Sequence, residues 1–394
     1  MKLAIASGKG GTGKTTVAVN LAALLAARGH RVSLADCDVE EPNAHLFLPV
    51  EWKTREQCTL PVPKVNETLC LGAACRRCVE ACRFKALAFM GDAVLDFPDL
   101  CHGCGLCALV CPTGAMTYAT RLVGEVRGGI ARIRPAMGTS ADRVNMADRT
   151  GRPDRAPDLP ATAPVLRFRD GVLRIGEAMA TPLIRAVKDV PPPTVPKDGA
   201  VQGPCAFAIR DCPPGVACAA INAVHDADLL LLVAEPSPFG LHDLRLAVGL
   251  ARHLRLPHAV VLNRAGMGLP AAPSSTATAA GAPGSDPVRA WTAHEGVPLL
   301  GVIPFSRAAA ECGATGSLMH DAAPEVRAAY ARLADVLEDM ARDADGPRRP
   351  WDGLGLAGLA GLASQASQAD LATPATTVEE TGATTDAKER ACGR

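Results

Sequence analysis

Two sets of residues in this chain have the types and spacing for chemistry. The run Gly8-Lys9-Gly10-Gly11-Thr12-Gly13-Lys14-Thr15 follows G-x4-G-K-[ST], in which glycines let consecutive backbone N–H groups turn onto phosphates. In such a loop Lys14 neutralises the β- and γ-phosphates and the Thr15 hydroxyl takes a place on Mg²⁺, so ATP and Mg²⁺ are the expected ligands. Gly8, Gly10, Gly11, Thr12, Gly13, Lys14, Thr15 and Thr16 form the candidate nucleotide site. The second set is eight cysteines packed between Cys70 and Cys111. Thiolates are soft anionic donors suited to iron, and two-residue gaps let a tight turn wrap one face of a cluster. A chain holding both could use a nucleotide switch to change the position, partner or exposure of a redox group.

The cysteine spacing is informative in detail. Cys101-x2-Cys104-x2-Cys107-x3-Cys111-Pro112 matches the bacterial ferredoxin run, in which three thiolates bind one cubane and the fourth reaches to another. Zinc is the rival ligand, although its structural sites usually draw on two separated pairs. The earlier run is less regular. Cys75-x2-Cys78-x3-Cys82 fits the last three ligands, but the expected first position is Gly72, and Cys70 lies two residues too early. Either Cys70 reaches the iron through a wider loop, or the first cluster is three-iron, labile or otherwise ligated. The remaining cysteines, Cys37 and Cys212 among them, read as buried or incidental thiols in a reducing compartment.

These residues need elements to position them. Lys2 to Ala6 reads as a buried strand and Lys14 to Arg28 as an Ala/Leu-rich helix ended by Gly29, giving the strand, loop and helix that a phosphate loop requires. A second strand, His30 to Ala35, delivers Asp36 and Asp38 to the carboxyl end of a parallel sheet, where ligands of such sheets bind. Strand candidates then recur at 165–175, 206–210, 228–234, 258–262 and 298–303, with helices at 181–190 and 241–254. The predicted fold class is α/β: a doubly wound, mostly parallel sheet with an inserted two-cluster ferredoxin-like domain. The predicted boundaries are an ATPase domain over 1–57, the insertion over 58–120, a flexible linker over 121–164, the second part of the ATPase domain over 165–344, and a disordered tail over 345–394. Residues 266–286 read as a surface loop.

Composition narrows the classes. Lys plus Arg (41) balances Asp plus Glu (41), so no net field draws the chain to nucleic acid or anionic lipid. No apolar run approaches the roughly 20 residues of a membrane span, and no signal peptide precedes the first strand, so a cytoplasmic protein is expected.

The extra lysine in the loop leads further. Lys9-Gly10-Gly11-Thr12-Gly13-Lys14-Thr15-Thr16 resembles the deviant phosphate loop of the MinD/ParA/nitrogenase iron protein superfamily, and Asp36-Cys37-Asp38, Asp211-Cys212-Pro213-Pro214-Gly215 and Val261-Leu262-Asn263-Arg264 resemble its switch I, switch II and adenine-contact segments. With the cysteine insertion, the chain resembles a ferredoxin-containing MinD/Mrp-type P-loop ATPase over about residues 1–120 and 165–310. The resemblance implies an ATP-dependent homodimer in which Lys9 reaches the partner's phosphates. It also implies that Asp38 orients the attacking water, Asp36 lies near Mg²⁺, Asp211 holds a Mg²⁺-bound water and Asn263 contacts adenine. By analogy with two-cluster ferredoxins, Cys70, Cys75, Cys78 and Cys111 hold one 4Fe–4S cluster, and Cys82, Cys101, Cys104 and Cys107 the other. The implied function is ATP hydrolysis coupled to electron transfer, with a redox or Fe–S acceptor protein as partner. Iron–sulfur assembly or carriage, a MinD-like positioning role and an amide-forming ligase of the same nucleotide fold are the alternatives.

Overall fold

The computed structural model describes residues 1–133, 163–191, 205–267 and 286–343. Among them the strands are β1 (Lys2–Ala6), β2 (Arg31–Asp36), β3 (Val50–Val65), β4 (Leu87–Met90), β5 (Ala93–Asp96), β6 (Met116–Arg132), β7 (Val165–Leu173), β8 (Ala206–Asp211), β9 (Leu229–Ala234), β10 (His258–Ala265) and β11 (Leu299–Pro304). The main sheet runs β11-β10-β9-β1-β8-β2-β7-β6-β3. From β11 to β7 all neighbours are parallel, whereas β6 pairs antiparallel with both β7 and β3. No helix of the described residues is long and apolar enough to cross a membrane.

Alternation along the strands splits the core into two layers. Leu3 and Ile5 face one layer with the helices Lys14–Ala27 and Pro324–Asp343; Ala4 and Ala6 face the other with the helices at 181–188, 218–224 and 238–253. The helix Lys14–Ala27 is apolar nearly all round because it is covered on both sides, and Val17 to Ala26 are all buried. Gly29 ends it with φ +88°, its N–H donating to Ala26 O and that of His30 to Leu25 O.

The structure moves one of the expected boundaries. Residues 121–132 are not linker: they belong to β6, which forms one long antiparallel ribbon with β3 at the edge of the main sheet. Gly124 to Arg132 of β6 also pair with β7 and so lie within the main sheet, while Met116 to Leu122 pair with β3 alone and project beyond it. That projection is roughly 25 Å at the usual rise per residue. A register irregularity between Cys58 and Thr59 marks the point of departure, as bulges do where strands bend away from a sheet. The edge position explains why the pattern was hidden: β3 is charged and largely exposed, and Pro61 and Pro63 are tolerated because only one neighbour needs their backbone. Residues 66–115 sit at the ribbon's tip with the hairpin β4–β5 and a small core of Cys78, Leu87, Val94 and Met116. The rest of the expected linker (134–162), the loop over 268–285 and the tail from 344 lie outside the described residues.

Candidate functional site

The phosphate loop sits between β1 and the helix Lys14–Ala27, at the carboxyl ends of the parallel strands. Gly11 and Gly13 adopt φ of +82° and +91°, which L side chains rarely reach. A Cβ at Gly13 would stand 2.3 Å from Asn263 Nδ2, and one at Gly8 2.1 Å from the Asp243 carbonyl oxygen, so neighbouring segments press on the loop at both ends. At Gly10 and Gly11, by contrast, a Cβ would meet nothing within 4 Å, leaving an open cradle over the loop. Lys14 is 6% exposed, and the Thr12 hydroxyl is buried with no hydrogen-bond partner.

Strand register gathers the carboxylates. Asp36 on β2 lies opposite Asp211 on β8 and Asp170 on β7, so three fully buried acids stand in a row across adjacent strands. Each is treated differently. Asp36 is used by its own loop: Oδ2 accepts from the N–H groups of Asn43 (3.0 Å) and Ala44 (2.9 Å), and Oδ1 from that of Asp38 (3.1 Å). Burial and the nearby Asp211 charge push its pKa well up. Asp170 is neutralised by Arg127, whose Nε and Nη2 reach its two oxygens at 2.9 and 2.5 Å, while Trp52 covers the guanidinium at 4.5 Å. Asp211 alone has both carboxylate oxygens buried and without a hydrogen bond. Burial pushes it up to about 7, opposed by the neighbouring Thr15 hydroxyl and Lys14 ammonium.

An unpartnered buried carboxylate, an unpartnered Thr12 hydroxyl and an open cradle of backbone N–H groups fit a nucleotide with its divalent cation. Thr15 and Asp211 could hold the cation, Lys14 and the loop amides the phosphates. Asp36 stands beside them, but its oxygens shape the switch loop. Asp38 is half-buried, and burial raises its pKa while Lys14 lowers it. Lys9 lies 3.9 Å from Asp243 of its own chain and stays partly exposed. Asn263, expected as the adenine contact, lies against the loop, where its Nδ2 donates to Thr12 O at 2.8 Å and braces it.

Asp170, Arg127, Trp52 and Asp243 were not expected from sequence. Asp170 carried a usable signal, an acid near the end of a strand candidate in the same sheet. Replacing Asp170 with alanine leaves a largely buried Arg127 without its partner, and urea unfolding should register a loss of about 3 kcal/mol, the usual result of deleting one member of a buried ion pair.

The eight module cysteines form two separate groups. Cys82, Cys101, Cys104 and Cys107 line one hollow with Phe84 and Tyr118; Cys70, Cys75, Cys78 and Cys111 line another with Phe89 and Met116. The equal donor sets suit the same kind of occupant in each. Among the described residues no three His, Cys, Asp or Glu side chains are placed to hold a single metal ion. Backbone amides repeat across the two sites. Gly72 N donates to Cys70 Sγ (3.4 Å) as Gly103 N does to Cys101 Sγ (3.3 Å), and Ala86 N to Cys82 Sγ as Ala115 N does to Cys111 Sγ, both at 3.3 Å. Cys70 is therefore the counterpart of Cys101 despite its longer spacing. The extra residues are taken up by a 3₁₀ turn at Gly72–Ala74. Gly72 has φ +59°, and a Cβ there would lie 2.5 Å from the Asp92 carbonyl oxygen.

The family profile described as the CobQ/CobB/MinD/ParA nucleotide binding domain matches residues 3–319. An uncharacterised protein of Methanocaldococcus jannaschii is 26% identical over 269 residues, covering 68% of this chain and 81% of that protein. An iron–sulfur cluster carrier protein of Pyrococcus abyssi is 54% identical over 50 residues, 13% of this chain and 17% of the carrier. An uncharacterised ferredoxin of M. jannaschii is 43% identical over 53 residues, 13% of this chain and 86% of the ferredoxin.

Proposed function

Because the chain belongs to the CobQ/CobB/MinD/ParA nucleotide-binding family, as a MinD/Mrp-type ATPase with ferredoxin features, we propose that it is a cytoplasmic, ATP-hydrolysing iron–sulfur protein. In it, nucleotide-dependent pairing of two copies is coupled to two 4Fe–4S clusters that pass electrons to an acceptor protein. One observation carries the reading: the switch segment that starts at Asp36 leads through a 3₁₀ turn at Ala44–Leu46 into β3, and β3 is one rail of the ribbon bearing both thiol groups. A displacement of that segment reaches the clusters through the covalent chain and the paired strands of the ribbon.

The residues divide the work as phosphoryl transfer requires, mostly by positioning and charge neutralisation. Lys14 and the loop amides hold the phosphates, and Thr15 and Asp211 would hold Mg²⁺, which would supply further charge neutralisation. Asp38 orients the attacking water, and Lys9 leaves Asp243 to reach the phosphates bound by the partner copy. The thiolates hold the clusters, where backbone N–H groups on sulfur stabilise the reduced state.

The experiment is anaerobic purification followed by paramagnetic resonance of the reduced protein with ADP and with a non-hydrolysable ATP analogue. A spectrum or potential that differs between the two nucleotides is expected; identical behaviour would defeat the coupling. Carriage of clusters is the second reading, favoured by the exposed Cys104, which leaves one site open at its rim. Clusters that move to an apo-acceptor and are stripped by chelator would select it over electron transfer.

A further inference from the structure

The two thiol groups differ in their attachment to the nucleotide-binding part. The group of Cys82, Cys101, Cys104 and Cys107 is the inner one: a Cβ at Gly103 would lie 2.7 Å from Leu60, which packs against the sheet's core. The outer group has its own small core of module and ribbon-tip residues.

At the inner group four charged residues meet. Arg121 of β6, 7% exposed at its side chain, donates from Nη2 to the Cys101 carbonyl oxygen at 3.3 Å and pairs with Glu177 at 3.3 Å and Asp99 at 3.7 Å. Arg174, just past β7, pairs with the same two acids, each at 3.4 Å. The Glu177 carboxylate is fully buried, and a third contact, from the N–H of Met179, fixes its orientation. Asp99 and Cys101 belong to the module, Arg174 and Glu177 to the nucleotide-binding part, so the group bridges the two. Its other end is tied to the switch: Leu173 N donates to Val39 O at 3.0 Å, one residue beyond Asp38, and Arg174 N donates to Val123 O at 2.9 Å, where the ribbon leaves the sheet.

Resting on the reading above, we propose that the Arg121–Glu177–Arg174–Asp99 group couples the switch segment to the inner thiol set, making that centre, and not the outer one, the nucleotide-responsive cluster. Arg121 is a positioning residue whose charge also acts on the cluster. A nearby buried cation stabilises the more negative, reduced state, and Glu177 offsets that cation while it stays in contact. When the switch draws Val39 and the Leu173–Glu177 segment with it, the offset changes and so does the potential of the inner centre. Separation of Glu177 from Arg121 raises the potential, and closer contact lowers it.

The test uses the full chain with both clusters loaded, titrated under paramagnetic resonance with ADP and with a non-hydrolysable ATP analogue. The inner and outer centres are recognised by the signals lost in Cys101→Ala and Cys70→Ala. In the parent protein the inner midpoint should differ between nucleotides. In Arg121→Gln that midpoint should fall, the nucleotide difference should vanish and the outer midpoint should stay put, while Arg121→Lys retains the parent midpoint. Arg174→Gln, altered from the solvent side, should lose the nucleotide difference at parent iron content, which keeps the test decisive should Arg121→Gln load poorly. A difference that persists in Arg174→Gln, or that belongs to the outer centre, overturns this proposal alone. No difference in either centre of the parent protein overturns the coupling reading and this proposal with it.

Discussion

Lys14→Ala should lower ATP turnover by about 10²–10³-fold, the usual scale for removing one preorganised charge-stabilising group, while the iron content stays at the parent value. Lys14 is almost fully buried at the first turn of its helix, so its ammonium is held at the loop. Its charge also opposes the raised pKa of both Asp38 and Asp211. Without it the carboxylates face an incoming triphosphate with no neighbouring ammonium to offset them, and binding should weaken along with turnover. The thiol groups lie at the far end of the ribbon and use no atom of the phosphate loop. Single-turnover hydrolysis, calorimetric nucleotide binding and an iron assay on one preparation check the three parts. Parent-like turnover would remove Lys14 from the site.

What the sequence made legible follows from how local each signal is. The phosphate loop was readable because its glycines, lysine and hydroxyl are contiguous and their conformational demands are intrinsic, as the positive φ values at Gly11 and Gly13 bear out. The parallel strands were readable because burial on both faces writes nearly continuous apolar runs, as at Leu229–Ala234. The ribbon was not. β3 pairs on one side only and exposes most of Val50–Leu60, so neither alternation nor an apolar run survives, and its two prolines argue against a strand until the edge position is known. The acids gathered by register were half legible: Asp36 and Asp211 stand in recognisable motifs, whereas Asp170 owes its place to the pairing of β7 with β2. The charged group at the inner thiols was invisible for the same reason, since Asp99, Arg121 and Glu177 are brought together only by tertiary structure.

The spacing of Cys70 raised the sharpest question, and the geometry turns it into the second large expected effect. Judged by ligand spacing alone, Gly72 occupies the first position and Cys70 lies two residues too early. In the fold, Cys70 shares its hollow with Cys75, Cys78 and Cys111 and accepts an amide hydrogen bond matching that of Cys101. Restoring the shorter spacing by Gly72→Cys would not help, because the new Cβ would strike the Asp92 carbonyl and the backbone would need a positive φ. Cys70→Ala should therefore halve the iron of an anaerobic preparation from about eight atoms per chain to about four, with the surviving centre keeping its spectrum. Cys101→Ala should give the same count with the other spectrum lost. The outer hollow is served by thiols from both ends of the insertion, Cys111 lying far along the chain from Cys70, so losing its cluster should also loosen the tip of the ribbon and speed proteolysis there. Iron that stays near eight in Cys70→Ala would mean that the outer site is completed by some other ligand. Iron near four in the parent, unchanged by the substitution, would leave the outer thiols without a cubane and reduce the module to one centre.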